Sequence, residues 1–127
     1  MAFMMANALV VDDNFYNRDL CALALAHVGY NVVQASDGKA ALSLLDKYNF
    51  DLLILDLHMP EASGIDVIRS IKTAQSHPEM SIVVMTAHPH MASSEIVFNG
   101  ADYVIYKPIN IDSFAQLAKR IAVASAS

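Results

Sequence analysis

The chain has little of what usually marks a specialised scaffold. Its 127 residues include one cysteine, Cys21, no tryptophan, and four each of glycine and proline. A single cysteine excludes an internal disulfide and fits a reducing compartment, so a cytoplasmic location is expected. Scarce Gly and Pro beside plentiful Leu, Ile and Val exclude a disordered or low-complexity chain. Charge is sparse as well: charged residues make up 17%, and 8 basic residues face 13 acidic ones for a net charge of −5. With a pI near 5.3 there is no basic surface to meet phosphates, so no direct nucleic-acid binding is expected. Long apolar runs are also missing. The longest stretch without a charged residue, Leu20–Ser36, is interrupted by His27, Gly29, Asn31 and Gln34, too short and too polar to span a bilayer. Met1–Val11 has no basic start and runs straight into Asp12-Asp13, unlike a secretory signal. No membrane insertion is expected, although the mean hydropathy of +0.37 is high.

What is present is a regular alternation of short apolar runs with helix-like stretches. A chain of this length makes one domain, with enough burial for a core. Ala8–Val11 reads as a strand and Asn14–Val28 as a helix capped by Asp13 or Asn14 and stopped by Gly29. Asn31–Ala35 is a second strand, and Ser36-Asp37-Gly38 opens a helix to about Tyr48. Asp51–Leu55 is a third strand, Pro60 and Gly64 frame a loop, and Ile65–Ala74 repeats apolar residues at helical spacing until His77-Pro78 breaks it. Ser81–Met85 is a fourth strand and Met91–Asn99 a fourth helix closed by Gly100; Asp102–Tyr106 is a fifth strand, and a last helix starts at Asn110. Five strands, each followed by a helix, imply an α/β fold with a parallel sheet covered on both faces and five helices in all.

Ligands of such sheets bind beyond the carboxyl ends of the strands, so the residues leaving those ends can be named. The first strand ends in Asp12-Asp13, the third in Asp56, the fourth in Thr86-Ala87 and the fifth in Lys107-Pro108. Taken singly, each has an ordinary reading as a turn former, a cap or a surface residue. Taken together, three carboxylates at one edge repel and call for a cation. An all-oxygen donor set with room for water and phosphate oxygens suits Mg²⁺ better than Ca²⁺, with Mn²⁺ as an alternative. A carboxylate beside such an ion, a hydroxyl and a lysine can act as nucleophile toward a phosphoryl group, Lys107 and Thr86 steadying the transferred oxygens.

These residues resemble the response-regulator receiver domains of two-component and phosphorelay signalling. The match runs through Asp12-Asp13, Asp56-Leu57-His58-Met59-Pro60, Gly64, Met85-Thr86-Ala87, Gly100-Ala101-Asp102 and Lys107-Pro108, in order along essentially the whole chain. The resemblance implies a single doubly wound, flavodoxin-like domain over residues 1–127, with strand order 2-1-3-4-5. It implies Asp56 as phosphoacceptor, with Asp12, Asp13, Asp56 and the His58 backbone carbonyl as metal ligands, and Thr86 and Lys107 gripping the phosphoryl group. It also implies a cis Lys107-Pro108 bond. Such a protein catalyses only its own phosphorylation and dephosphorylation. Its partner is a histidine kinase or histidine phosphotransfer protein, and it is expected as a monomer or weak dimer. Ile121–Ser127 is too short for an output domain, so a stand-alone receiver is expected, with a receiver from a longer regulator or hybrid kinase as the alternative. A small Mg²⁺-dependent phosphohydrolase using Asp56 is the other reading. It normally needs a second acid two residues on, where this chain has His58, and a substrate cap for which there is no length.

The chain departs from the family pattern in places. The family often has an aromatic switch residue three positions before the lysine, where this chain has Val104. Tyr103 and Tyr106 flank it and read as packed strand aromatics, with Tyr106 retained as a modulating candidate. His58 and His88 flank the site and are candidates for orienting or blocking water. A zinc site from His77, His88 and His90 is disfavoured, because Pro78 and Pro89 break the geometry and no cysteine lies near. Leu20–Val28, LCALALAHV, carries no charge on any side. In the family the first helix is where the phosphoryl donor docks, and Leu20, Ala22, Leu23 and Ala26 are the candidates for that surface.

Overall fold

A computed structural model describes residues 6–59 and 63–126 of the chain. Pro60 lies outside the described residues. Five strands, β1 (Asn7–Val11), β2 (Asn31–Ala35), β3 (Leu52–Asp56), β4 (Ser81–Thr86) and β5 (Tyr103–Tyr106), form one parallel sheet of order β2-β1-β3-β4-β5. The helices are α1 (Phe15–His27), α2 (Gly38–Lys47), α3 (Gly64–Ala74), α4 (Pro89–Ala92), α5 (Glu95–Gly100) and α6 (Ile111–Ala126). Every strand alternates its side chains between two faces, and in β1, β3 and β4 both faces are buried. Leu9, Val11, Leu53, Leu55, Ile82 and Val84 meet Ala41 and Leu45 of α2, Val67, Ile68 and Ile71 of α3 and Val97 of α5. Ala8, Val10, Leu52, Ile54, Val83 and Met85 face the other way, onto Cys21 and Leu25 of α1 and Phe114, Ala118 and Ile121 of α6. Each buried leucine or isoleucine contributes about 1.5–3 kcal/mol. That burial is why β1, β3 and β4 are almost wholly apolar.

The helix ends follow local chemistry. Asn14 caps α1 through its side chain, which accepts from the Asn17 backbone N–H at 3.0 Å. Gly29 ends that helix with φ of +106°, a left-handed conformation that glycine adopts without steric cost. Ser63 forms a capping box with Asp66 at the start of α3, a serine-x-x-acid pattern legible in the sequence but not recognised there.

Three expectations need correction. The stretch expected as one helix over Met91–Asn99 is two, making six helices among the described residues rather than five. The Ser93 hydroxyl donates to the His90 carbonyl at 3.0 Å, and Ser94 caps a new start by accepting from Val97 N–H, as serines at a helix start do. Ala22 is buried, with 6% of its surface exposed, because it joins Cys21 and Leu25 in the inward stripe of α1; it cannot line a docking surface. Tyr103 and Tyr106 are exposed, Tyr106 by 54%, because β5 is an edge strand paired only with β4. Val104 is exposed as well, and alternation places it on the same face as Tyr106.

Candidate functional site

Register brings the strand ends together. Val11 of β1 lies opposite Leu55 of β3, and Asp56 lies opposite Met85 of β4. The residues after Val11 and at the end of β3 therefore leave neighbouring strands side by side. Asp12 is fully buried and Asp56 is 3% exposed, while Asp13 faces solvent. Ligand oxygens of the three all lie within 4.8 Å of one another. Three carboxylates this close repel strongly, and a nearby cation offsets that repulsion.

Lys107 supplies part of it. Its Nζ lies 3.1 Å from Asp12 Oδ2 and 3.4 Å from Asp56 Oδ2. The lysine reaches them because Tyr106 is the partner of Thr86 across β4 and β5, and the Lys107 N–H extends that ladder to the Thr86 carbonyl at 2.9 Å. The Lys107-Pro108 bond is cis. The other carboxylate oxygens take backbone donors: Asn14 N–H to Asp12 Oδ1 at 2.9 Å and His58 N–H to Asp56 Oδ1 at 3.1 Å. Among the described residues no buried side-chain oxygen or nitrogen lacks a hydrogen-bond partner.

Two basicities are shifted as a result. Burial, and then the neighbouring Asp12 charge, push Asp56 up to about 6, against the opposing pull of the His58 N–H and Lys107. Burial works against charge on Lys107, yet Asp56 and Asp12 together leave its pKa raised. A buried carboxylate with raised basicity beside a fixed cation is the kind of group that marks a candidate functional site. Cys21 is no rival, since burial, then Asp12, push its thiol to about 12 and leave it inert.

The residues singled out from the sequence fall into two groups. Asp12, Asp13, Asp56, Thr86 and Lys107 converge at this edge. Thr86 is buried, and its hydroxyl turns into its own loop, accepting from His88 N–H at 2.9 Å and donating to the His88 carbonyl at 3.2 Å. Leu20, Leu23 and Ala26 lie on the outward face of α1, Leu23 being 62% exposed. Phe15 and Tyr16 extend that face, packed edge to face at 5.8 Å between ring centroids. His58 and His88 are both exposed, and their rings lie 5.3 Å apart at the mouth of the site. His77 points elsewhere, its Nε2 lying 2.8 Å from the Leu45 carbonyl.

Sequence reasoning missed Arg18. Its Nη1 donates to the Asp12 carbonyl at 2.9 Å and its Nε to Gln34 Oε1 at 3.0 Å, pinning the loop that carries the acidic pair to β2. Nothing in the sequence marks it, because the contact depends on which strand lies beside β1.

A borderline or soft ion would prefer imidazole or thiolate, whereas this set of carboxylates suits a hard divalent cation. No helix among the described residues is long and apolar enough to cross a membrane.

The comparisons with known proteins agree with this geometry. The chain is 35% identical over 117 residues to the transcriptional regulatory protein ZraR of Escherichia coli, covering 90% of this chain but only 26% of ZraR. It therefore spans about a quarter of that relative's length. It is 27% identical over 117 residues to the polar-differentiation response regulator DivK of Brucella ovis, covering 91% of this chain and 95% of DivK. Among solved structures, the chemotaxis response regulator CheY4 of Vibrio cholerae superposes with a TM-score of 0.84 at 27% identity, covering 93% of this chain and 99% of that one. The response regulator TrrA of Thermotoga maritima, solved in complex with Mg²⁺-BeF, gives a TM-score of 0.80 at 32% identity, covering 92% and 99%. The family model of the response regulator receiver domain matches residues 8–119, and the chain belongs to that family.

Proposed function

We propose that this receiver domain accepts a phosphoryl group on Asp56 from a phosphohistidine of a histidine kinase or histidine phosphotransfer protein. The observation that carries the reading is one buried carboxylate, Asp56, held between Asp12 and Lys107 with Asp13 at the open side. Asp12, Asp13, Asp56 and the backbone carbonyl of His58 would hold Mg²⁺, with Mn²⁺ as a substitute. Bound there, the ion would offset the carboxylate charge and steady the oxygens of the incoming phosphoryl group.

The chain's own groups perform the rest. A carboxylate oxygen of Asp56 attacks phosphorus, the donor's N–P bond breaks, and its electron pair stays on the departing imidazole, which takes up a proton. The His58 N–H orients Asp56 through Oδ1, and Lys107 lies on Oδ2. Lys107 can follow the charge as it spreads to the phosphoryl oxygens. The Thr86 hydroxyl leaves the His88 carbonyl and donates to one of those oxygens. That exchange moves the loop after β4, which is a local event that a partner can read. With Val104 where an aromatic switch often stands, the loop movement would be transmitted without an aromatic at that position.

The donor would dock on the outward face of α1, through Leu20, Leu23 and Ala26. A cavity of about 500 Å³ lined by Asn17, Leu20, Ala87, Lys107, Pro108 and Ile109 joins that face to the lysine. No nucleic acid contact is proposed. The location is read as cytoplasmic and the state as a monomer or weak dimer. The chemistry is the same in a free-standing receiver, as expected from the sequence, and in a receiver joined to other domains.

Incubation with acetyl phosphate or phosphoramidate and Mg²⁺, followed by intact mass, tests the reading. One added phosphoryl group, absent from Asp56→Ala and from samples with excess EDTA, supports it. Turnover of simple phosphate esters with no adduct would favour the phosphohydrolase instead.

A further inference from the structure

The acidic pair sits where a strand ladder runs out. The Asp12 N–H still bonds to the Ala35 carbonyl at 3.2 Å, but β2 ends at Ala35 and Asp37 turns aside to cap α2. In a continued parallel ladder the next N–H of β2 would serve the Asp12 carbonyl; here a side chain does so. Arg18 of α1, half-buried, donates from Nη1 to that carbonyl at 2.9 Å and from Nε to Gln34 Oε1 of β2 at 3.0 Å. Its guanidinium also lies over the Phe15 ring, 5.5 Å from the centroid, a third contact that steadies it. The carbonyl it holds belongs to the planar peptide unit between Asp12 and Asp13, so the direction of that unit sets how the two side chains stand to each other. The Asp12 carboxylate has its own partners in Lys107 and the Asn14 N–H. Among the described residues no hydrogen bond or ion pair holds the Asp13 side chain, so its placement rests on the backbone.

We infer that Arg18 is a positioning residue for metal binding, one that sets the affinity of the acidic pair for Mg²⁺ by fixing the peptide between Asp12 and Asp13. The inference rests on the reading of Asp12, Asp13 and Asp56 as the Mg²⁺ site. Arginine suits the role because its planar fork serves two acceptors in a fixed geometry and keeps its charge at every working pH. Groups that orient metal ligands without touching the metal commonly account for about tenfold or more of the affinity. Charge and geometry act in opposite directions here. A guanidinium near a cation site repels the cation, so if Arg18 acted only as a charge, its removal would tighten Mg²⁺ binding. As the anchor of the Asp12-Asp13 peptide, its removal loosens the pair and weakens binding. Gln34 is the second anchor. It is exposed, and without its side chain the guanidinium keeps its charge but loses its tie to β2.

The test is a Mg²⁺ titration of the full chain as wild type, Arg18→Met and Gln34→Ala, read by calorimetry and by the backbone amide resonances of Asp12, Asp13 and Asp56. Arg18→Met should bind Mg²⁺ about tenfold more weakly and Gln34→Ala about threefold more weakly, with circular dichroism unchanged. In phosphorylation by acetyl phosphate, the Mg²⁺ concentration for half the maximal rate should rise by the same factors, while the rate at saturating Mg²⁺ changes much less. General damage to the fold would lower that maximal rate as well. Affinity equal to or above wild type in either variant that folds would overturn the inference and leave the Asp56 proposal standing. A wild type in which Mg²⁺ shifts none of the Asp12, Asp13 and Asp56 amides would overturn the metal reading itself, and this inference with it.

Discussion

Replacing Asp56 by asparagine should stabilise the metal-free protein at neutral pH, although it removes a partner of Lys107. Ionised Asp56 is held in a buried place beside Asp12, and its pKa sits at about 6 against 3.8 for the ordinary group. In the unfolded chain the carboxyl loses its proton near 3.8; in the folded chain it keeps it until about 6. Between those values the folded state binds more protons, so stability falls as pH rises through the window. Above it the full difference, roughly 2–3 kcal/mol at 1.36 kcal/mol per unit, is a standing cost of the charged site. Asparagine keeps the shape and an oxygen for the His58 N–H but carries no charge. At pH 7 the variant should be more stable by about 2–3 kcal/mol, and its melting temperature higher by roughly 8–12 °C for a chain of this size. The gain should shrink steeply toward pH 4 and vanish below about pH 3, where the wild-type carboxyl is protonated in both states. Saturating Mg²⁺ should narrow it as well, because the ion binds the folded wild type. Urea unfolding at pH 7 and pH 4, with and without Mg²⁺, reads all of this. A variant less stable than wild type at pH 7 without metal would refute the reasoning, since Asp56 would then be a net stabiliser.

The raised basicity of Asp56 also predicts that phosphorylation by acetyl phosphate at low Mg²⁺ falls as pH drops through about 6. Only the ionised carboxylate attacks, and saturating metal should move that fall to lower pH; a flat profile from pH 7 to 5 would contradict this. Gly64→Ala should cost about 1–3 kcal/mol in urea unfolding and slow phosphorylation. A Cβ there meets the backbone of Asp56 and the Leu57 Cα, the latter at 2.7 Å, and displaces the end of β3 that carries the proposed phosphoacceptor. On α1, Ala22→Asp should impair folding because the site is buried, whereas Leu23→Asp, on the exposed face, should fold normally. Leu23→Asp should accept phosphoryl from acetyl phosphate but several-fold more slowly from its phosphohistidine donor; equal rates from the donor would remove α1 from the docking surface.

Much of the site was legible because its residues sit at strand ends, and strand ends are marked by where apolar runs stop. Asp12, Asp56, Thr86 and Lys107 each follow such a run directly, so the parallel arrangement alone places them together. Strand order was different: the apolar pattern gives five βα units, and the order came through the resemblance to receiver domains. Side-chain burial within α1 was not legible either. LCALALAHV is apolar on every side, and only packing shows Ala22 turned inward and Leu23 outward. The split between α4 and α5 rests on two adjacent serines, Ser93 and Ser94, that can each begin or end a helix. Tyr103 and Tyr106 look like core aromatics by type, and their exposure follows from β5 lying at the edge of the sheet. Arg18 and the grouping of His58 with His88 depend on which loops become neighbours, which no local pattern records.

The most direct test of the account is the position of the phosphoryl group itself. Protein treated with acetyl phosphate and Mg²⁺ should be reduced with borohydride, which converts an acyl phosphate to an alcohol, and then mapped by peptide mass. The account predicts reduction at residue 56 alone and none in protein that was not phosphorylated. A stable phosphoryl group on a serine, threonine or histidine, with Asp56 unmodified, would contradict it.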